Sequence, residues 1–288
     1  QYTSWLAGQS SFVQNWLNSQ NFQAQAKNYT LLPNNEGIAQ QVLAIVAEDE
    51  PYGIAHLPTL LPKQNYHRCD SSTATLSDDT LFLGWGLGAY RFDRYTDKKT
   101  AAQFVTEHVS AETQAVLRES LLVRTLINTP TEHMGPDELE DAVSDAAKEF
   151  SAEFSCVKGD ALLTENFPTI HAVGRASHRA PRLLRLDWGD TKNPHVVICG
   201  KGVCFDTGGL DMKNATGMRN MKKDMGGAAH ALALARLIMS QNLPIRLSLL
   251  IPAVENAIAG NAFRPGEVIK TRQGLTVEID NTDAEGRL

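Results

Sequence analysis

Apolar runs and helical-period segments alternate through the second half of the chain. RLLRLDW at 182–188, HVVIC at 195–199 and IRLSLLIPAVEN at 245–256 are short and mostly or wholly apolar. Such runs predict buried strands, and the helical segments between them predict a mainly parallel sheet covered on both faces. FSCVKG at 154–159 predicts a further short strand, and ALALARLIMS at 231–240 a helix. Val116, Leu117, Leu121, Leu122 and Leu126 recur at helical spacing, with Ser110 placed to cap that helix and Thr129-Pro130 to stop it. PDELEDAVSDAAKEF predicts an amphipathic helix with Pro136 in its first turn. TIHAVGRAS reads as a turn segment ended by its glycine.

The first 112 residues are less regular. NYTLLPNN reads as turn chemistry, QQVLAIVAED as a strand, and DDTLFLGWGLGAYRFDRYTD as a buried helix. Gly84, Gly86 and Gly88 have GxGxG spacing. A dinucleotide fingerprint needs GxGxxG between a strand and a helix, so close helix packing is the preferred reading. The expected architecture is α/β: a smaller N-terminal α/β domain over 1–112 and a larger, mainly parallel-sheet domain over 113–288.

Composition narrows the class. With 288 residues and 42% hydrophobic content, the chain can bury a sizeable core. No run approaches the roughly 18 apolar residues of a membrane span, and residues 1–20 lack the basic and apolar regions of a signal peptide. The balance of 27 basic and 33 acidic residues gives a net charge of −6, with no basic block to attract nucleic acid. Cys69, Cys156, Cys199 and Cys204 show no CxxC spacing and read as reduced thiols of a cytoplasmic protein.

The chemistry concentrates after residue 200. GKGVCFDTGGLDMKNATGMRNMKKDMGG opens the stretch and VEIDNTDAEGRL closes it. Asp206, Asp224, Asp283 and Glu285 are four carboxylates that repel one another when brought together, unless a cation joins them. A pair of divalent metals is the simplest such cation, with Lys201 as a possible amine ligand. Each residue also has a plainer role: Asp206 in a turn, Asp224 as a helix cap, Lys201 and Lys213 as surface ion-pair partners. No histidine falls in an HExxH pattern, so His171, His178, His195 and His230 read as surface or core residues. Oxygen ligands suit magnesium or manganese, and zinc or cobalt accept them too. Cys204 reads as a buried structural thiol.

NTDAEGRL matches the signature octapeptide of the leucine aminopeptidase (cytosol aminopeptidase) family, and GKGVCFDTGGLDMK and MKKDMGG match its other active-site segments. LGAYRFDRY, RTLINTP, AVGRAS and APRLLRLDW resemble family segments as well, so the resemblance runs from about residue 84 onward. It implies that 113–288 is a catalytic domain, truncated at its C-terminus relative to the family. It also implies that residues 1–288 alone leave the sheet with an unpaired edge and are not expected to form an active site. The implied activity is a metal-dependent exopeptidase releasing N-terminal amino acids from peptides, by attack of a hydroxide bridging two metals.

In that family one metal is held by the residues matching Lys201, Asp206, Asp224 and Glu285, and the other by Asp206, Asp283 and Glu285. Lys201 then binds as the neutral amine. Lys213 matches the catalytic lysine that stabilises the oxyanion, and Arg287 the residue holding a bicarbonate ion as general base. Met221 matches a residue lining the pocket for the first substrate side chain. The implied cofactors are two divalent ions, zinc or manganese first and cobalt or magnesium next. The implied assembly is a homo-hexamer without membrane or nucleic-acid partners. The alternatives are a DNA-binding architectural role, known for some members, and a catalytically silent truncated form.

Overall fold

The computed structural model of the chain describes residues 1–47, 49–69, 75–97 and 101–288. It divides into two compact units, Gln1–Leu117 and Arg118–Leu288.

The first unit contains helices α1 (Tyr2–Ala7), α2 (Ser11–Ser19), α3 (Leu57–Leu60) and α4 (Asp78–Ala89). Its strands are β1 (Tyr29–Pro33), β2 (Ala39–Ala44), β3 (Asn65–Tyr66) and β4 (Gln103–Phe104). The segment read as turn chemistry, NYTLLPNN, is instead mostly strand: β1 pairs antiparallel with β2 from Tyr29↔Ala44 to Leu32↔Gln41. Its polar ends hid an apolar centre, and Asn34 supplies the turn by accepting the Glu36 and Ile38 amides on Oδ1. The strand expected at QQVLAIVAED begins at Ala39 and ends at Ala44; its Glu48 lies outside the described residues.

In α4, Ser77 Oγ caps the Thr80 amide at 3.2 Å. A Cβ on Gly88 would lie 1.7 Å from the Ala55 carbonyl oxygen, so the glycine run serves close packing. Trp85, Ile54, Leu57, Leu61 and Ala102 form the core of this unit, and Trp85 Nε1 donates to the Ala102 carbonyl at 2.8 Å. Helix α5 (Ala111–Asn128) spans the division between the units; Ser110 Oγ accepts the Thr113 amide at its start.

The second unit is built on a five-stranded sheet. After α6 (Pro136–Glu149) come β5 (Glu153–Lys158), α7 (Ala161–Thr164) and α8 (Pro168–Gly174). Next follow β6 (Arg182–Trp188), β7 (His195–Cys199), β8 (Gly202–Asp206), α9 (Ala215–Met218) and α10 (Gly226–Ser240). Strand β9 (Arg246–Asn256) and a hairpin of β10 (Val268–Lys270) and β11 (Thr276–Glu278) complete the unit. Strand β9 is central. It pairs with β6 on one side, and on the other with β7 along its first half and β8 along its second.

The α/β class holds, and the sheet is mixed. Pairing is parallel at β7·β9 and β8·β9 and antiparallel at β5·β6 and β6·β9. Apolar content predicts burial and not strand direction, which is why the antiparallel pairs escape a reading of composition. Cover is also incomplete at β7. This edge strand leaves Val197 51% exposed, against the expectation of a sheet buried on both faces.

Alternate residues of β9, namely Leu247, Leu249, Ile251 and Ala253, face Leu139 and Val143 of α6 and Leu232 and Ala235 of α10 in the main core. On the opposite face Val254 and Val203 join Val173 of α8, Phe263 and Ile279. The TIHAVGRAS segment is largely helix α8 and not a turn. Gly174 is inside it because a Cβ there would sit 2.5 Å from Pro181 Cβ. Among the described residues, no helix is long and apolar enough to cross a membrane.

Candidate metal centre

The site begins at an interruption between two strands. Strands β7 and β8 both run along β9, and Gly200-Lys201 separates them. Gly200 fits because a Cβ there would meet Ala228 Cα at 2.7 Å, and Gly202 because one would meet the Pro252 carbonyl oxygen at 2.4 Å. Lys201 is held between them; its carbonyl accepts the Ala228 amide at 2.9 Å. Its side chain projects from the ladder and reaches Asp224 Oδ2 at 2.9 Å and Glu285 Oε1 at 2.8 Å.

Asp206 ends β8 and is 3% exposed. Its Oδ1 accepts the Gly208 amide at 2.8 Å and Asn256 Nδ2 at 2.9 Å, which leaves Oδ2 facing Lys213 Nζ at 3.0 Å. The loop beyond turns through Gly208 and Gly209, at φ 86° and 67°, backbone that favours glycine. It closes where Lys213 N donates to the Thr207 carbonyl at 2.9 Å. Asp224 and Met221 lie in a 3-10 turn, Met221–Met225, ahead of α10.

Asp283, Glu285 and Arg287 lie in a second 3-10 turn, Thr282–Arg287. The strand before it, β11, pairs with β10 in a separate hairpin. The turn therefore follows a strand that lies outside the main sheet. Thr282 brings the turn to the sheet instead. Its hydroxyl donates to the Gly208 carbonyl at 2.6 Å, its amide donates to Asp211 Oδ2 at 2.7 Å, and Asp211 N donates back to Thr282 Oγ1 at 2.9 Å. Thr282, Asp211 and Asn256 were not singled out in the sequence. The only signal for Asn256 was a polar residue at the carboxyl end of an apolar strand.

The result is convergence. Ligand oxygens of Asp206, Asp283 and Glu285 lie within 4.8 Å of one another. Lys201 joins Asp224 to Glu285, and Lys213 lies against both Asp206 and Asp283. Arg287 is exposed and Met221 half-buried at the ends of their turns, and neither makes an ion pair or side-chain hydrogen bond to the cluster.

Two ammonium groups against four carboxylates leave an excess of negative charge in a partly buried place. Burial raises the Glu285 carboxyl above the usual range, against the opposing pull of Lys201. Burial lowers Lys201 and Lys213, but their carboxylate partners outweigh it and both end raised. Lys201 Nζ lies at ion-pair distance from Glu285 Oε1 and Asp224 Oδ2, but Glu285 Oε2 is buried with neither a hydrogen-bond nor an ion-pair partner among the described residues. Buried oxygens of this kind are costly unless something accepts their charge. Their convergence, with one amine beside them, fits a pair of divalent cations. Cys204 is not part of the set. It is fully buried, and burial pushes its thiol up, away from the thiolate a metal would need.

Known proteins resemble this chain along both of its units. Residues 121–288 match the family described as cytosol aminopeptidase family, catalytic domain. Residues 1–106 match the M17 aminopeptidase N-terminal domain, so the likeness reaches further back than the motifs near residue 84 suggested. The probable cytosol aminopeptidase of Corynebacterium glutamicum is 39% identical over 218 residues, 71% of this chain and 44% of the relative. That of Corynebacterium efficiens is 34% identical over 301 aligned positions, 97% of this chain and 59% of the relative.

Among solved structures, the cytosol aminopeptidase of Coxiella burnetii has a TM-score of 0.94 at 44% identity, covering 99% of this chain and 63% of that one. The bottromycin maturation enzyme BotP, in complex with Mn, has a TM-score of 0.83 at 27% identity, covering 97% of this chain and 64% of that one. The chain thus spans about half to two-thirds of the length of these proteins. The match to the catalytic-domain model covers more than half of the chain, and the chain belongs to the cytosol aminopeptidase family.

Proposed function

We propose that this chain carries the metal-binding core of an aminopeptidase that releases N-terminal residues from peptides. The observation that carries the reading is Glu285. It is a buried carboxylate with Oε1 2.8 Å from Lys201 Nζ and Oε2 unpartnered, and one of its oxygens lies within 4.8 Å of oxygens of Asp206 and Asp283. Lys201, Asp206, Asp224 and Glu285 would hold one divalent ion, and Asp206, Asp283 and Glu285 the other. Bound there, the two ions supply Lewis-acid polarisation of the substrate carbonyl and acidify a water molecule.

The chain's own residues do the rest. Lys201 offers its amine once it has lost its proton. Lys213 keeps its charge and donates to the carbonyl oxygen as that oxygen becomes anionic, which is worth most where water is excluded. Arg287 presents a planar guanidinium that would hold a bicarbonate ion, which would supply general-base chemistry there. Met221 lines the pocket for the first side chain. Zinc or manganese, then cobalt or magnesium, are the ions expected. Assembly as a hexamer and a cytoplasmic location belong to the same proposal. No observation favours the DNA-binding or catalytically silent alternatives.

The test is hydrolysis of a leucine anilide by the metal-loaded protein, before and after chelation. Although the family resemblance implies that residues 1–288 alone form no active site, the converged ligand set predicts turnover that disappears with chelator and returns with added metal. Turnover indifferent to chelator contradicts a metal mechanism.

A further inference from the structure

Asn256 is 1% exposed at the end of β9, in register with Asp206 of β8. Its Nδ2 donates to Asp206 Oδ1 at 2.9 Å and to the Thr282 carbonyl at 3.0 Å. Both amide hydrogens are used, and the two acceptors fix the orientation: turned over, Oδ1 would face two oxygens. Oδ1 itself is buried without a partner. An orphaned acceptor is unfavourable, so packing alone gives no reason for an amide at this position. The amide joins two segments that meet nowhere in sequence, the β8 end carrying Asp206 and the turn carrying Asp283 and Glu285. Gly209 keeps the junction close, since a Cβ there would lie 2.9 Å from both Asn256 Oδ1 and Thr282 Oγ1.

We propose that Asn256 is a positioning residue that locks Asp206 and the Thr282–Arg287 turn into one ligand frame for the two divalent ions. It contacts one ligand and the backbone next to another, and acts through both. The inference rests on the two-ion reading above. Hydrogen-bond partners that orient metal ligands typically change affinity by about 10- to 100-fold when removed. Here one residue orients ligands from both segments.

The test is calorimetric titration of Mn²⁺ into the metal-stripped full chain, for the wild type, Asn256→Leu and Asn256→Ser. Folded fractions are matched by circular dichroism and thermal melting of each metal-free variant is recorded. Leucine keeps the volume and removes both donors; serine keeps one donor and carries the test if the leucine variant does not fold. Expected are two ions per wild-type chain, a loss of about 10-fold or more in affinity for leucine, and a smaller loss for serine. A lowered melting temperature with unchanged Mn²⁺ affinity in the folded variants would show a merely structural role and overturn the proposal while leaving the two-ion reading intact. A wild type that binds no Mn²⁺ would overturn both.

Discussion

Lys201 fills the space that a side chain at residue 286 would need: a Cβ built on Gly286 lies 2.8 Å from Lys201 Nζ and 2.9 Å from Cε. The glycine of the NTDAEGRL turn is therefore what lets the lysine reach Glu285 and Asp224 together. Gly286→Ala should push the amine aside. Because the clash is with the far end of a flexible side chain, the fold should tolerate it. Mn²⁺ affinity is expected to fall by about tenfold, a second-sphere magnitude, with little change in melting temperature. Unchanged affinity would show that Lys201 accommodates the methyl group and that Gly286 does not position it.

Lys213 separates binding from turnover. It lies beside Asp206 and Asp283 and matches the lysine expected to stabilise the oxyanion. Lys213→Ala should lower kcat by about 10²–10³, the usual effect of removing one oxyanion donor, while two ions still bind. Full turnover with both ions bound would remove that role.

The site depends on the sheet beneath it. Leu249 is fully buried in the middle of β9, between helices α6 and α10 of the main core. Leu249→Ala should cost about 2–5 kcal/mol, the range for a buried leucine truncated to alanine. Urea unfolding checks it; a loss below about 1 kcal/mol would mean that the core collapses around the cavity more completely than this packing suggests.

A pH-dependent contribution lies away from the site. Asp137 is held at about 2, mainly by its hydrogen bond to the buried Arg182 guanidinium, with burial opposing and Lys158 assisting. A depressed carboxyl stabilises the fold above its unfolded value and loses that contribution as pH falls towards the folded one. The stability gap between wild type and Asp137→Asn should therefore be full at pH 5 and narrower at pH 3. A gap constant between those two values would contradict the assignment.

Much of this was legible in the sequence, and the exceptions have physical causes. Strands β6, β7 and β9 and helices α5, α6 and α10 were readable because their apolar periodicity is local. Helix α8 was not: Gly174 looks like a stop in sequence and serves as a contact for Pro181 in space. The antiparallel entry of β6 beside β9 was hidden because burial carries no direction. The four carboxylates and two lysines stood out as charges beside glycine pairs. Asn256 and Thr282 did not, since their role is to bridge segments that only the fold brings together.

The most direct test of the account is the number of divalent ions the chain binds, measured by Mn²⁺ titration of the wild type and of Glu285→Gln. Glu285 is assigned to both ions, so the account predicts two ions per wild-type chain and loss of both in the variant, with the fold retained. No binding by the folded wild type, or a Glu285→Gln variant that binds two ions as tightly, would contradict it.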